Sequence, residues 1–437
     1  MKKRLLLKLS VIILGLMCAV PAGCFDANPY DSRAKDPLAT YSNYRLDNGQ
    51  MLLGNNNYPA ISYSGDRTVV RTNENSPSVE DIKEDMKLLS AMGIKLLRTY
   101  NTNEFPQATN LLKAIRELKQ EYPDFEMYVM AGAWIQCHGA FKDDVPTDHT
   151  REHYEWNKGE IDAAIAQARA YPDIIKIIAV GNEAMVTWQG HFVSPSIILK
   201  WVNYLKKARA NGDMPAKTLV TTSDNWAALG GEASYHNDDL LSLLKAIDFV
   251  SLHTYAYHDS HYASAFWKVP EKETGLTVLE QSRRAIKRVI ARQKDQFNSV
   301  KDYMEQNDIK KAIHIGETGW STLDNSIYGD DGACAADEYK AKLFYDAVRA
   351  WTKKDNLTCF YFEAFDEPWK SGGTDGSEGH FGLFTVDGKA KYPIWDLVNT
   401  GTFDGLTRGG NPIVKTYDGV EAALLKNVKA PNTTARF

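Results

Sequence analysis

Cysteine is scarce in this sequence and widely scattered. The five cysteines of the 437-residue chain are Cys18, Cys24, Cys137, Cys334 and Cys359. The last three do not have the short spacing of a zinc site, and so few cysteines cannot form a disulfide framework. We therefore expect at most one disulfide bond and mostly buried, apolar cysteines.

Clustered positive charge is missing as well. The formal net charge is −5, and it falls to −9 when residues 1–23, which carry four basic and no acidic side chains, are removed. Nucleic-acid binding requires patches of Lys and Arg that neutralise phosphates, so this charge argues against a nucleic-acid partner. It suits a neutral or polymeric substrate.

Residues 1–23 have the layout of a secretory signal, with the basic start MKKRLLLK, the short apolar run VIILGLM and the small residues VPAG. Ala22 and Gly23, directly before Cys24, resemble a bacterial lipoprotein cleavage site, although Pro21 replaces the usual Leu. We expect an exported protein, lipidated at Cys24 and held at the outer membrane or cell surface. A secreted or periplasmic protein and an uncleaved anchor are the alternatives.

From about residue 60 the sequence alternates short apolar runs with longer patterns of helical spacing. The runs predicted as strands are PAISY (59–63), GIKLLRTY (93–100), FEMYVMAGAW (125–134), DIIKIIAVGNE (173–183), TLVTTS (218–223), IDFVSLHTY (247–255), KAIHIGE (311–317) and LTCFYFEAF (357–365). Helical patterns lie between them, and the first begins at Ser78 with Asp81 in the position of a capping box.

This repetition predicts an α/β fold, a (β/α)8 TIM barrel that forms a single catalytic domain. A doubly wound open sheet is the alternative, but no Gly-rich dinucleotide fingerprint follows an early strand. We place the barrel at 59–402, between an amino-terminal leader (24–58) and a carboxyl-terminal appendage (403–437).

Acidic, amide and aromatic side chains gather where the predicted strands end, which is the active-site end of such barrels. The candidate site residues are Arg98, Tyr100, Asn101, Trp134, Gln136, Asn182, Glu183, Trp226, Tyr255, Glu317, Trp320, Glu363 and Trp369. Aromatic rings stack on sugars, amides reach hydroxyl groups, and two carboxylates can cleave a glycosidic bond. Glu183 and Glu317 end strands 4 and 7, which face each other across a barrel mouth.

A glutamate at a strand end is usually a solvated loop residue or an ion-pair partner, so neither carboxylate is informative alone. Their surroundings, G-N-E and G-E-T-G-W, are more specific. No basic residue occurs from Ile177 to Trp188, so we expect Glu183 to lie away from cations.

Four motifs, AVGNEAM, HIGETGWST, YFEAFDEPWK and GHFGLFTVDGKAKY, together resemble family 17 of the glycoside hydrolases, the β-1,3-glucanases and their transglycosylating relatives. The similarity extends from about residue 59 to about residue 398, and the form FEAFDEPWK is closer to the microbial and fungal branch. It implies that Glu183 is the general acid/base and Glu317 the nucleophile. It also implies that Asn182 contacts the 2-hydroxyl of the sugar being cleaved.

The resemblance further implies that Arg98 and Tyr255 hold the nucleophile ionised and oriented, and that Glu363 and Trp369 contact substrate at the edge of the site. The expected activity is retaining hydrolysis of laminarin-type β-1,3-glucan without a metal or organic cofactor. A glucanosyltransferase using the same residues is one alternative, and a non-catalytic glucan-binding surface protein is another.

Overall fold

Eight parallel strands close into a barrel in the computed structural model, which describes residues 45–432. The strands are β1 (Ala60–Ser62), β2 (Leu96–Arg98), β3 (Tyr128–Ala133), β4 (Ile175–Asn182), β5 (Leu219–Asn225), β6 (Val250–His253), β7 (Ile313–Gly319) and β8 (Cys359–Phe362). They follow chain order around the barrel, and β8 closes it by pairing Phe360 with Ala60 of β1. The predicted (β/α)8 barrel is confirmed, and the open sheet is wrong.

Helices surround this barrel, and the longer ones bury an apolar stripe in its core. They are α1 (Val79–Ala91), α2 (Gln107–Glu121), α3 (Tyr154–Ala170), α4 (Pro195–Asn211), α5 (Asp238–Ala246), α6 (Ala256–Tyr262), α7 (Val278–Gln306), α8 (Glu338–Lys354), α9 (Trp395–Asn399) and α10 (Glu421–Leu425). Two short antiparallel pairs lie outside the barrel, Cys137–His138 with Asp148–Glu152 and Thr407–Arg408 with Asn411–Pro412.

Local sequence determines where helices begin and end. The Ser78 hydroxyl accepts a hydrogen bond from the Asp81 N–H at 3.1 Å, and the Asp81 carboxylate accepts one from the Ser78 N–H at 3.0 Å. This reciprocal pair satisfies two N–H groups that α1 itself cannot, so the predicted capping box is confirmed. Gly212 ends α4 at φ 83°, a left-handed conformation that favours glycine.

Residues 45–58, the described part of the predicted leader, cover the amino-terminal end of the barrel. Leu52, Leu53 and Tyr58 are buried and belong to one cluster with side chains near the strand starts, among them Phe249. Burial of these apolar groups stabilises the barrel from the end opposite the predicted active site.

The carboxyl-terminal segment 403–432 packs against the barrel. Arg408 is buried, its Nε donates to the Asp85 carboxylate of α1 at 2.9 Å, and its guanidinium lies 4.0 Å from the centre of the Phe365 ring. Asp85 also accepts a hydrogen bond from the Tyr63 hydroxyl at 3.0 Å. The segment therefore ties α1 to the chain that follows β1 and β8.

The predicted signal at 1–23, Cys24 and most of the leader lie outside the described residues. Within residues 45–432, Cys137, Cys334 and Cys359 are buried and form no disulfide bond. No helix in this part of the chain is long and apolar enough to cross a membrane.

Candidate active site

A cavity of about 780 Å³ lies at the carboxyl ends of the barrel strands. The predicted site residues that line it are Tyr100, Asn101, Trp134, Gln136, Asn182, Glu183, Glu317 and Trp369. Residues far apart in sequence meet here because parallel strands end at the same rim. The volume is in the range of clefts that enclose most of a small organic ligand.

Glu317, on β7, is fixed in this cavity as a carboxylate. Its Oε1 accepts a hydrogen bond from the Tyr255 hydroxyl at 2.6 Å, and its Oε2 accepts from the Tyr100 hydroxyl at 2.9 Å and from the Arg98 guanidinium. Burial raises the pKa of Glu317, but the charges of His253 and Arg98 and the Tyr255 hydrogen bond lower it to about 2. Glu317 is therefore an ionised group held by three donors.

Arg98 contacts three of the predicted site residues at once. It ends β2 and is buried, and besides its ion pair with Glu317 it donates through Nη2 to the Asn182 side-chain oxygen at 2.5 Å. Its guanidinium also lies 4.6 Å from the centre of the Tyr100 ring. One guanidinium thus orients both the carboxylate on β7 and the amide on β4.

Glu183 comes directly after β4, in a tight turn that directs its carboxylate toward the same cavity. Its φ of 45° is left-handed, a costly conformation for glutamate that is typical of functional sites. The buried Asp224 carboxyl accepts a hydrogen bond from the Met185 N–H at 2.8 Å, which fixes the turn. The Glu183 Oε2 accepts one from the Gln189 side chain at 3.0 Å.

A histidine that local sequence did not indicate contacts Glu183. His253 ends β6 and is fully buried, with Nδ1 3.2 Å from the Glu183 Oε1 and Nε2 2.7 Å from the Ser223 hydroxyl. Burial raises the pKa of Glu183, but the hydrogen bond and the charge of His253 lower it below its ordinary value. Glu183 was expected to lie away from cations, and the structure instead places the imidazole of a residue on another strand beside it.

Trp320, Trp226 and Glu363 were predicted to contact substrate, and none of them lines the cavity. Trp320 is 0% exposed, and its indole N–H donates to the Ala335 carbonyl at 2.9 Å. Successive residues of a strand face opposite sides, so Trp320, three places after Glu317, faces the helices rather than the cavity. Trp226 is partly buried against the core.

Glu363 belongs to a charged cluster in the chain after β8. The Lys370 ammonium donates to the Glu363 Oε2 at 2.9 Å and also pairs with Glu367. Burial and the neighbouring Glu367 raise the pKa of Glu363 well above its usual range. Trp369 lines the cavity, but the Arg71 guanidinium lies 4.3 Å from its ring centre, so one face of this predicted sugar contact is already covered.

The candidate list left out several residues of the site, among them His253, Gln189, Lys370 and Phe141. His253 stands two places before Tyr255, so alternation along β6 puts both on one face and could have revealed it. Gln189 and Phe141 lie on long loops, where no periodic pattern indicates which side chains face the cavity.

Comparisons with known proteins agree with the barrel fold. The model of the BtgE/BtgC glycoside hydrolase domain matches residues 60–382. The solved structure of an endo-laminarinase from Formosa Hel1_33_131 is similar at 50% identity and a TM-score of 0.85, over 88% of this chain and 98% of that one. A glucan 1,3-beta-glucosidase of Arthroderma benhamiae is 26% identical over 322 residues, 71% of this chain and 83% of the relative.

A glycoside hydrolase family 17 β-1,3-glucanosyltransferase from Rhizomucor miehei shares the fold at 19% identity and a TM-score of 0.51, over 77% of this chain and 96% of that one. The domain model covers well over half of the chain, including β1 through β8 and the whole cavity rim. The chain belongs to the BtgE/BtgC glycoside hydrolase family.

Proposed function

We propose that this protein is a family 17 enzyme that hydrolyses laminarin-type β-1,3-glucan with retention of configuration. Glu317 is the nucleophile and Glu183 the general acid/base. The observation that carries this proposal is the Glu317 carboxylate, which is ionised and fixed by Arg98, Tyr100 and Tyr255 in a cavity that it shares with Glu183. Two relatives, an endo-laminarinase and a glucan 1,3-beta-glucosidase, support β-1,3-glucan as the substrate, and the first of them favours attack within the glucan chain.

In the first step, a Glu317 oxygen attacks the anomeric carbon while the bond from that carbon to the leaving oxygen breaks. Glu183 gives its proton to the leaving oxygen, and a glucosyl ester forms on Glu317. The Arg98 guanidinium and the two tyrosine hydroxyls hold the carboxylate in line for attack, which lowers the entropic part of the barrier.

In the second step, Glu183 is a carboxylate and takes a proton from water. The water oxygen attacks the anomeric carbon, and the bond from that carbon to Glu317 breaks. Two displacements at one carbon restore the original configuration. An acceptor sugar in place of water would give transglycosylation by the same residues.

The first step requires a protonated Glu183. His253 lowers the pKa of that carboxyl in the unliganded site, so the protonated fraction grows as the pH falls. Glu317 stays ionised down to about pH 2. The proposed mechanism therefore favours acidic conditions, in which one carboxyl is protonated and the other is not.

Replacement of Glu317 by glutamine tests the nucleophile. Glu317→Gln should reduce laminarin hydrolysis below about 1% of wild type, because an amide cannot form the ester. Glu378→Gln is the matched control, since Glu378 also lines the cavity but contacts neither carboxylate in the described residues. Retained activity in Glu317→Gln, or NMR detection of the inverted anomer as first product, would contradict the mechanism.

We also propose export and lipidation at Cys24, supported by the sequence of residues 1–24. Membrane fractionation should find the wild-type protein in the pellet and Cys24→Ser in the soluble fraction. An identical distribution of the two would contradict the anchor.

A further inference from the structure

The loop between β4 and α4 brings one glutamine side chain onto the Glu183 carboxyl. The Gln189 N–H donates to the Val186 carbonyl oxygen at 3.1 Å, and the Gln189 carbonyl oxygen accepts from the Phe192 N–H at 3.2 Å. The side-chain Nε2 of Gln189 donates to the Glu183 Oε2 at 3.0 Å. Both backbone groups of Gln189 are therefore held within the loop, while its side chain lines the cavity.

Contacts on two sides hold this loop in place. The Thr187 N–H donates to the Tyr235 hydroxyl at 3.2 Å, in the chain that follows β5. The Phe192 ring stacks on His149 with ring centres 3.7 Å apart, in the short antiparallel pair that follows β3. Because β3 and β5 flank β4 in the barrel, the loop is anchored to both neighbours of the strand that carries Glu183.

The two oxygens of the Glu183 carboxyl have different surroundings. Oε1 lies 3.2 Å from the Nδ1 of His253, a residue that is 0% exposed. Oε2 contacts Gln189, which is half-buried and lines the cavity. Oε1 is thus held from the protein interior, and Oε2 is the oxygen on the side of the cavity.

We propose that Glu183 passes its proton from Oε2 and that the Gln189 amide N–H stabilises the charge left on that oxygen. The inference rests on the proposed function. As the O–H bond breaks, the proton goes to the leaving oxygen and the electron pair stays on Oε2. A hydrogen bond to a carboxylate is stronger than one to a neutral carboxyl, so this contact strengthens as the proton leaves. Gln189 is therefore a positioning residue of the first displacement.

The pKa of Glu183 provides a second line of support. Burial raises this pKa, while the His253 contact and, to a lesser degree, the Gln189 hydrogen bond lower it. The titratable groups that interact with Glu183 are His253 and Tyr255 at the end of β6, Glu317 of β7, Asp224 of β5 and His191 of the same loop as Gln189. Gln189 carries no charge, so its replacement by methionine removes the donor and leaves these charges in place.

The test measures kcat/KM for wild type and Gln189→Met on a laminari-oligosaccharide and on its dinitrophenyl glycoside. Gln189→Met should lose about tenfold on the oligosaccharide, or about 1.4 kcal/mol, because its sugar leaving group needs a proton. The loss should be less than about twofold on the dinitrophenyl glycoside, whose leaving group needs none. The alkaline limb of kcat/KM on the oligosaccharide should move to higher pH, because the ionised form of Glu183 has lost a donor.

Gln120→Met is the matched control, since Gln120 is exposed on α2 and lies outside the cavity, and it should match wild type on both substrates. Thermal unfolding checks that Gln189→Met folds. Gln189→Ala, which removes the amide without filling its place, should show the same dependence on the leaving group.

An equal loss on both substrates, no loss on the oligosaccharide, or a shift of the alkaline limb to lower pH would overturn the role of Gln189. Each of these results would leave the proposed function intact. A wild-type protein that does not cleave laminarin would overturn the proposed function and the role of Gln189 with it.

Discussion

Removing the charge of His253 should shift the pH profile of the enzyme to higher pH. The substitution His253→Asn keeps an amide that can donate to the Glu183 carboxylate but carries no charge. His253 lies 3.2 Å from that carboxylate and is buried, so the interaction between the two side chains is poorly screened. A hydrogen bond to a charged group contributes about 1.5–3 kcal/mol, and asparagine retains part of it.

Since 1.36 kcal/mol corresponds to about one pKa unit, the alkaline limb of kcat/KM should move up by about one pH unit. The upward direction of this shift follows from the proposed role of Glu183, which must be protonated to act as the acid, and from His253, which lowers the pKa of Glu183. The charge of His253 also lowers the pKa of Glu317, so the acid limb should move in the same direction. The whole bell-shaped profile is expected to shift upward.

The assay is kcat/KM on laminarin from about pH 3 to pH 9 at constant ionic strength. His236→Asn is the control, since His236 lies near the Gly230 carbonyl and the Tyr303 ring rather than near either carboxylate. An unchanged profile would show that His253 carries no charge in the working enzyme. A downward shift of the alkaline limb would show that the imidazole itself holds the proton that Glu183 passes on, and either result would refute the reasoning.

Three further predictions concern stability and binding. Arg408→Met should lower the free energy of unfolding by about 3 kcal/mol in urea titrations, because it leaves the buried Asp85 without its closest cation. A decrease below about 1 kcal/mol would argue against this packing. Trp320→Phe should lower the Tm and leave KM for laminarin unchanged, because the indole is buried away from the cavity, whereas a raised KM would restore Trp320 as a substrate contact. Lys370→Met should lower the Tm more at pH 7 than at pH 5. Because the pKa of Glu363 is raised in the folded protein, the free energy of unfolding falls as the pH rises above the ordinary range of glutamate. Removal of the Lys370 cation makes this fall larger. An equal decrease in Tm at both pH values would contradict the prediction.

The sequence alone determined the barrel and placed Glu183 and Glu317 at the same rim. Helical and strand periodicities are local properties of the chain, so the eight alternations of strand and helix could be recognised from sequence. Together they specify a closed parallel barrel. The end of each strand could be located to within a few residues, so Glu183, Glu317 and Arg98 could be assigned to one rim before any contact was known.

Tertiary structure decided which side chains at that rim face the cavity and which charges surround them. Trp320 lies just after β7 and is buried against Phe344 of α8, although its position three places after Glu317 suggested a sugar contact. The lowered pKa of Glu183 is due to His253, which lies 70 positions away along the chain.

Phe141 shows the same limit for loops. The loop that carries it has no periodic pattern, and the left-handed conformation of Phe141 runs against local preference. Periodicity and propensity are set by near neighbours in sequence, whereas the environment of a carboxylate is set by whatever folding brings within a few ångströms. Local periodicity and propensity determined the fold of this protein. Only contacts between distant residues decided the pKa directions of its carboxyl groups and the shape of its cavity.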